Sequence, residues 1–154
     1  MANTINSDGL LLRFGRDQGV RGARAGVTTS TTKLNELVMT VDLTGAARTI
    51  YTTDRNNDGT NEGFGGLDAY LPAGAVIRAQ HVVVLTTLAG GTNYAVGTYQ
   101  EAGTVDNSIG IRTTLGADGT LVGTQLAAKR FVGVVTTGTY TAGKVKIIVQ
   151  YLIS

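Results

Sequence analysis

Oxygen-bearing side chains alternate along one short polar stretch, with a spacing that is typical of calcium loops. Asp54, Asn56 and Asp58 precede Gly59 in the pattern Asp-x-Asn-x-Asp-Gly. In an EF-hand loop, such residues supply ligands at positions 1, 3 and 5, and glycine forms the sharp turn at position 6. The stretch therefore suggests a weak calcium site.

The continuation of this stretch lacks the closing ligand of an EF-hand. Thr60 and Glu62 occupy positions 7 and 9, but Gly65 stands at position 12, where a bidentate glutamate belongs. Asp68 or Asp106 could supply the missing carboxylate in another kind of calcium loop. The alternative is a solvent-exposed turn, because Asn, Asp and Gly are the residues that turns favour.

The chain offers few residues for catalysis. It has no cysteine, and its one histidine, His81, lies in a predicted strand and is expected to be packed or on the surface. The glycines at 63–66 lack the Lys-Ser or Lys-Thr of a phosphate loop. Asp54 and Asp58 share one turn, whereas glycosidase carboxylates need a fixed separation on rigid elements. We therefore expect no enzyme activity and no cofactor.

Arginine is concentrated near the N-terminus in a glycine-rich stretch. Residues 15–26 contain four glycines, a density that disfavours both helix and strand. We predict a first strand and a flexible arm over 1–26 and a sandwich domain over 27–154. The arm either contacts carboxylates of a partner through its guanidinium groups or is a solvated loop. The candidate partner-binding residues are Arg13, Arg16, Arg21 and Arg24.

Alternation of apolar and polar residues predicts the structural elements that carry these residues. Residues 36–43 follow a period of two, which indicates a strand with one buried face, and residues 144–153 do the same. TYTAGK at 139–144 suggests a hairpin connection, and 103–128 has no clear pattern beyond a helical turn near its end. Further predicted strands are 10–14, 48–53, 76–89, 94–100 and 130–138.

The composition favours an all-β fold. The 154 residues include 22 glycines and one proline, 42% are apolar, and only 16% are charged. We predict a single-domain antiparallel β-sandwich of jelly-roll type. A net charge of +2 is too small to indicate nucleic acid. No signal peptide or membrane-spanning run is visible, so we expect synthesis in the cytoplasm and no membrane partner.

Four segments along the chain carry a resemblance. They are INSDGLLLRFG, LVMTVDLTG, AYLPAGAVIRAQHVVV and TYTAGKVKIIVQYLI, at 5–15, 37–45, 69–84 and 139–153. In this order they resemble the capsid cement, or decoration, proteins of tailed bacteriophages. Residues 54–66 depart from that pattern.

The resemblance implies a structural virion protein on the outer capsid surface. It implies a β-sandwich, often a homotrimer, that binds neighbouring subunits of the major capsid protein and cements them. The low charge also suggests surfaces buried in an oligomer or against a partner, because strand edges without charges are poorly protected. The alternative is a monomer whose faces are covered by threonine.

A second interpretation is a carbohydrate- or calcium-dependent binding module, since jelly-roll sandwiches often carry lectin sites. Tyr94, Tyr99 and the loop at 54–62 would then form the site.

Overall fold

The computed structural model describes residues 3–5, 11–14, 23–29, 34–51, 70–100, 102 and 104–153, with side chains from residue 34 onward. These residues form ten β-strands and no helix, and hence no helix that could cross a bilayer. In chain order, the strands are β1 (Asn3–Ile5), β2 (Leu11–Phe14), β3 (Ala23–Thr29), β4 (Asn35–Asp42), β5 (Thr49–Tyr51), β6 (Ala75–Gly90), β7 (Asn93–Tyr99), β8 (Val105–Arg112), β9 (Phe131–Thr137) and β10 (Tyr140–Ile153).

The strands belong to two antiparallel sheets. The larger sheet has six strands in the order β1-β2-β3-β4-β10-β6, and the smaller has four in the order β5-β9-β7-β8. Strand β10 lies in the middle of the larger sheet and pairs antiparallel with both β4 and β6. Strands β6 and β8 are therefore the edge strands on one side of the molecule.

The alternating sequence of β4 explains why it forms a half-buried strand. Leu37, Met39 and Val41 are fully buried, while the residues between them are only partly buried. Each faces an apolar residue of β10, as in the pairing of Met39 with Ile147. Such cross-strand apolar pairs are the main stabilising unit of a sheet.

The two sheets share one hydrophobic core. Ile50, Val96 and Val134 of the smaller sheet belong to the same buried cluster as Leu37 and Ile147 of the larger sheet. Two antiparallel sheets over a common apolar layer are consistent with a β-sandwich. The predicted all-β class and antiparallel sheets are confirmed.

The end of the predicted flexible arm is a strand, which corrects the irregular structure expected for residues 23–26; residues 15–22 lie outside the described residues. Strand β3 begins at Ala23 and pairs with β4, with Ala25 opposite Met39 and Gly26 opposite Val38. Hydrogen bonding to an available neighbouring strand outweighs the weak local preference of a glycine-rich segment. The proposed domain boundary after residue 26 therefore falls inside β3.

The predicted hairpin at TYTAGK is also wrong. Strand β9 ends at Thr137 and β10 begins at Tyr140, so the connection is Gly138 and Thr139 alone. Since β9 lies in the smaller sheet and β10 in the larger one, this connection crosses between sheets. Gly138 has a φ of 77°, which a residue with a side chain rarely adopts.

Candidate interaction surface on strand β6

Strand β6 is a long edge strand with almost no charge. It has 16 residues, and Arg78 is the only charged one among them. Its many β-branched residues favour an extended backbone. Natural proteins usually protect long edge strands with charges, proline or a covering segment.

Much of β6 is exposed to solvent. Ala75 and Ile77 at its start are fully buried, but the side chains of Val83, Val84 and Leu85 are 46%, 53% and 49% exposed. Val83 and Val84 point to opposite faces of the sheet, because successive side chains of a strand alternate. The edge strand therefore exposes aliphatic surface on both faces, and such surface suits contact with another protein.

Residues 118–126, called the bridging segment below, cover the C-terminal end of the β8 edge. The N–H of Gly119 donates to the carbonyl of Ile111 at 2.9 Å, and the N–H of Leu121 donates to the carbonyl of Gly110 at 2.8 Å. The segment turns at 119–124, where the sequence suggested a helical turn, but it forms no helix. The C-terminal end of the β8 edge is therefore already occupied by the chain itself.

The same bridging segment covers the first residues of β6. The N–H of Gly123 donates to the carbonyl of Ile77 at 2.7 Å, and the N–H of Leu126 donates to that of Ala75 at 2.8 Å. The segment thus joins the edges of both sheets. Its cover stops near Arg78, and the described residues place no strand beside β6 from Ala79 onward.

The register of the sheet shows which backbone groups point toward this open edge. The N–H of Leu43, just after β4, donates to the carbonyl of Gly143 at 2.9 Å. Alternate residues of a strand bond to opposite neighbours. The backbone N–H and C=O groups of the odd-numbered residues of β10 therefore point toward β4. Val145, Ile147 and Val149 are among these residues.

The β6 residues that pair with these three must direct their backbone N–H and C=O groups away from β10. Val84 lies opposite Val145, Val82 opposite Ile147, and Gln80 opposite Val149. Because none of these pairs exchanges hydrogen bonds across β6 and β10, the N–H and C=O groups of Gln80, Val82 and Val84 point away from the sheet. Together, residues 79–90 form the open β6 edge.

A polar cluster anchors this edge to the smaller sheet. Arg112 of β8 donates to the side-chain carbonyl of Gln80 at 3.3 Å and to the carbonyl of Gly116 at 3.0 Å. The Gln80 amide donates to Asp118 at 3.1 Å. The Arg112 guanidinium also lies 5.3 Å from the ring centre of Tyr94. The cluster fixes the adjacent 113–117 turn, from which Leu115 projects with 91% exposure.

Asp106, proposed as a completing calcium ligand, is engaged elsewhere. Its carboxylate accepts from Arg130 in two contacts, at 3.0 and 3.2 Å, and from the Thr98 hydroxyl at 3.0 Å. The hydrogen bond from Arg130 is the main cause of a lowered pKa of Asp106. Its oxygens are therefore occupied by a cation of the chain itself.

The other candidate calcium ligands, Asp54, Asn56, Asp58, Thr60 and Glu62, lie outside the described residues, as does Asp68. Among the residues that are described, no three His, Asp or Glu side chains come together as a metal site. The calcium hypothesis for the 54–62 loop stays a prediction.

The structure places two of the four candidate arginines in strands. Arg13 lies in β2 opposite Val27, and Arg24 lies in β3 opposite Thr40. Arg16 and Arg21 are outside the described residues. The capsid-binding role of the four arginines stays a prediction.

Aromatic residues proposed for sugar binding are buried. Tyr94 is 8% exposed and Tyr99 only 2% exposed, so neither ring offers a face to a glycan. His81 is an exposed residue of β6, as the sequence suggested. The open β6 edge was missed by sequence reasoning, which predicted the strand but had no signal for its place in the sheet.

Comparison of the chain with models of known protein families, with curated proteins and with solved structures finds no match.

Proposed function

We propose that this protein is a structural virion component, not an enzyme, that binds the outer surface of a phage capsid and cements neighbouring major capsid subunits. The observation that carries the proposal is the exposed, uncharged and apolar surface on β6, in a chain with only 16% charged residues. Such a surface suits contact with other proteins. The capsid is proposed as the partner because four segments of the chain resemble decoration proteins.

We propose a jelly-roll topology for the sandwich. Its support is the strand order, β4-β10-β6 in one sheet and β5-β9-β7-β8 in the other. Four connections cross between sheets, after β4, β5, β6 and β9. The bridging segment lies beside β6 through the bridge between Val76 and Gln125, where a jelly roll of two four-stranded sheets has its remaining strand.

The proposed partners are the major capsid protein and further copies of this chain. In this proposal the arginines at 13, 16, 21 and 24 contact carboxylates of the capsid surface. Repetition of modest contacts over a symmetric shell would raise the overall affinity without any single strong contact. A rigid sandwich suits this role because it transmits load between the subunits it joins.

Heating of capsids tests the cement function. Capsids that carry the protein are expected to rupture at a higher temperature than capsids stripped of it, and adding the purified protein back is expected to restore the difference. Light scattering and release of a DNA-binding dye report rupture. Equal rupture temperatures with confirmed occupancy, or failure of the protein to bind stripped capsids, would refute the proposal.

A further inference from the structure

We propose that the open β6 edge pairs antiparallel with the same edge of a second copy of this chain. The inference rests on the self-association included in the proposed function, and it adds the surface and its geometry. Pairing of one edge with its own copy is two-fold and closes with two copies. It therefore differs from the trimer that the resemblance implies.

The protein already uses this edge to hold an additional segment. At Ala75 and Ile77, backbone carbonyls of β6 accept hydrogen bonds from the bridging segment. Past Arg78, the same edge continues with the outward-facing backbone groups of Gln80, Val82 and Val84. An added antiparallel strand would satisfy these groups in the way that the bridging segment satisfies those before them.

The charge pattern favours a second copy as the occupant. Residues 79–90 contain no charged side chain, so antiparallel self-pairing centred on Val82 places no like charges opposite each other. The two Arg78 residues, each facing position 86 of the other copy, would be about 26 Å apart along the strand. A strongly charged partner strand would find no opposite charge on residues 79–90.

The side chains along the edge support the same occupant. Val83, Val84 and Leu85 are half-exposed in one copy. Pairing centred on Val82 would place them opposite positions 81, 80 and 79 of the other copy and would cover part of their apolar surface. Other described edges are less suited to pairing. The C-terminal end of the β8 edge is covered by the bridging segment, and β1 and β5 have three residues each.

Sedimentation of the full chain over a range of concentrations tests this inference with a matched pair of variants. Val84→Lys places a charge on the open β6 edge, and Val105→Lys places the same charge on β8 at equal exposure, 53% against 52%. We expect the wild-type chain to form dimers. Val84→Lys is expected to raise the dissociation constant of the dimer about tenfold or more. Val105→Lys is expected to leave it within about twofold. Circular dichroism and the unfolding midpoint establish that each variant is folded.

Hydrogen exchange on the wild-type chain gives a second readout that needs no substitution. The amides of Gln80, Val82 and Val84 are expected to exchange slowly at high protein concentration and rapidly after dilution. A monomer at every concentration, an equal effect of both lysine variants, or a dimer with these amides unprotected would overturn the inference. Because the chain is measured without capsids, this result is independent of whether the protein cements them.

Discussion

At the scale of single residues, Tyr99 shows how burial controls chemistry. Its ring is 2% exposed and packs edge-on against Tyr51, with ring centres 5.1 Å apart. Its hydroxyl has no hydrogen-bond partner among the described atoms, although Thr49 approaches it. Burial, helped by the nearby Tyr51, raises the pKa of Tyr99 to about 12.

Replacing Tyr99 by phenylalanine is expected to leave the free energy of unfolding unchanged or to raise it by up to about 1 kcal/mol. The reason is that the substitution removes a buried hydroxyl that lacks a partner and keeps the ring. Tyr99→Leu, which loses the ring contact, is the control and is expected to destabilise the protein. Urea denaturation at pH 7 measures both. A clear loss of stability in Tyr99→Phe would contradict this assignment.

The same residue predicts a pH dependence. The folded-state pKa of Tyr99 is about 12, above the ordinary value of 10.0. Its contribution to stability is therefore complete below pH 10 and is lost as the pH rises toward 12. Wild-type protein should lose more stability between pH 9 and pH 11 than Tyr99→Phe does.

At the scale of elements, the bridging segment holds the two sheet edges together. Its closest approach to β8 is at Gly119, where a Cβ atom would overlap the backbone carbonyl of Ile109. Only glycine fits there, because the hydrogen bond from Gly119 to Ile111 keeps the two backbones in contact. The fold thus depends on one small residue at a position where the sequence has no regular pattern.

Gly119→Val is expected to lower the free energy of unfolding by about 1–3 kcal/mol, because the added side chain forces the segment away from β8. Ala117→Val adds carbon atoms to an exposed neighbouring position and is expected to change stability by less than about 0.5 kcal/mol. Chemical denaturation compares the two variants. Faster exchange of the Leu121 amide in Gly119→Val, with the Met39 amide still protected, would localise the effect. Equal stabilities would show that the segment does not constrain the sandwich.

At the scale of the whole molecule, charge is scarce on the described surfaces but concentrated near the N-terminus. Four arginines fall within residues 13–24, in a chain whose net charge is only +2. If these residues contact capsid carboxylates, as proposed, attachment should depend on them and weaken with salt. Charges elsewhere on the chain should matter less.

Arg16→Gln with Arg21→Gln is therefore expected to weaken binding to stripped capsids about tenfold and to reduce its salt dependence. Arg78→Gln with Lys144→Gln removes the same charge from exposed positions of the larger sheet and serves as the control. Cosedimentation with capsids at several salt concentrations measures both. Equal weakening by the two pairs would indicate a general charge effect and would contradict the arm as a binding segment.

The sequence by itself determined the strand-forming segments with alternating residues. Leu37, Met39 and Val41 predicted β4, because the buried side chains of a half-buried strand repeat every two residues. The β-branched run after Val76 predicted β6, because such residues favour an extended backbone.

Only the tertiary structure decided where these strands lie and which edges stay open. Strand order depends on pairings between distant segments, such as Tyr151 with Ile77, and no local pattern encodes them. The same holds for β3, which forms because β4 is available beside it, and for β9 and β10, whose short connection crosses between sheets. The open β6 edge arises because the bridging segment ends its cover near Arg78, a long-range result of packing that sequence periodicity does not contain.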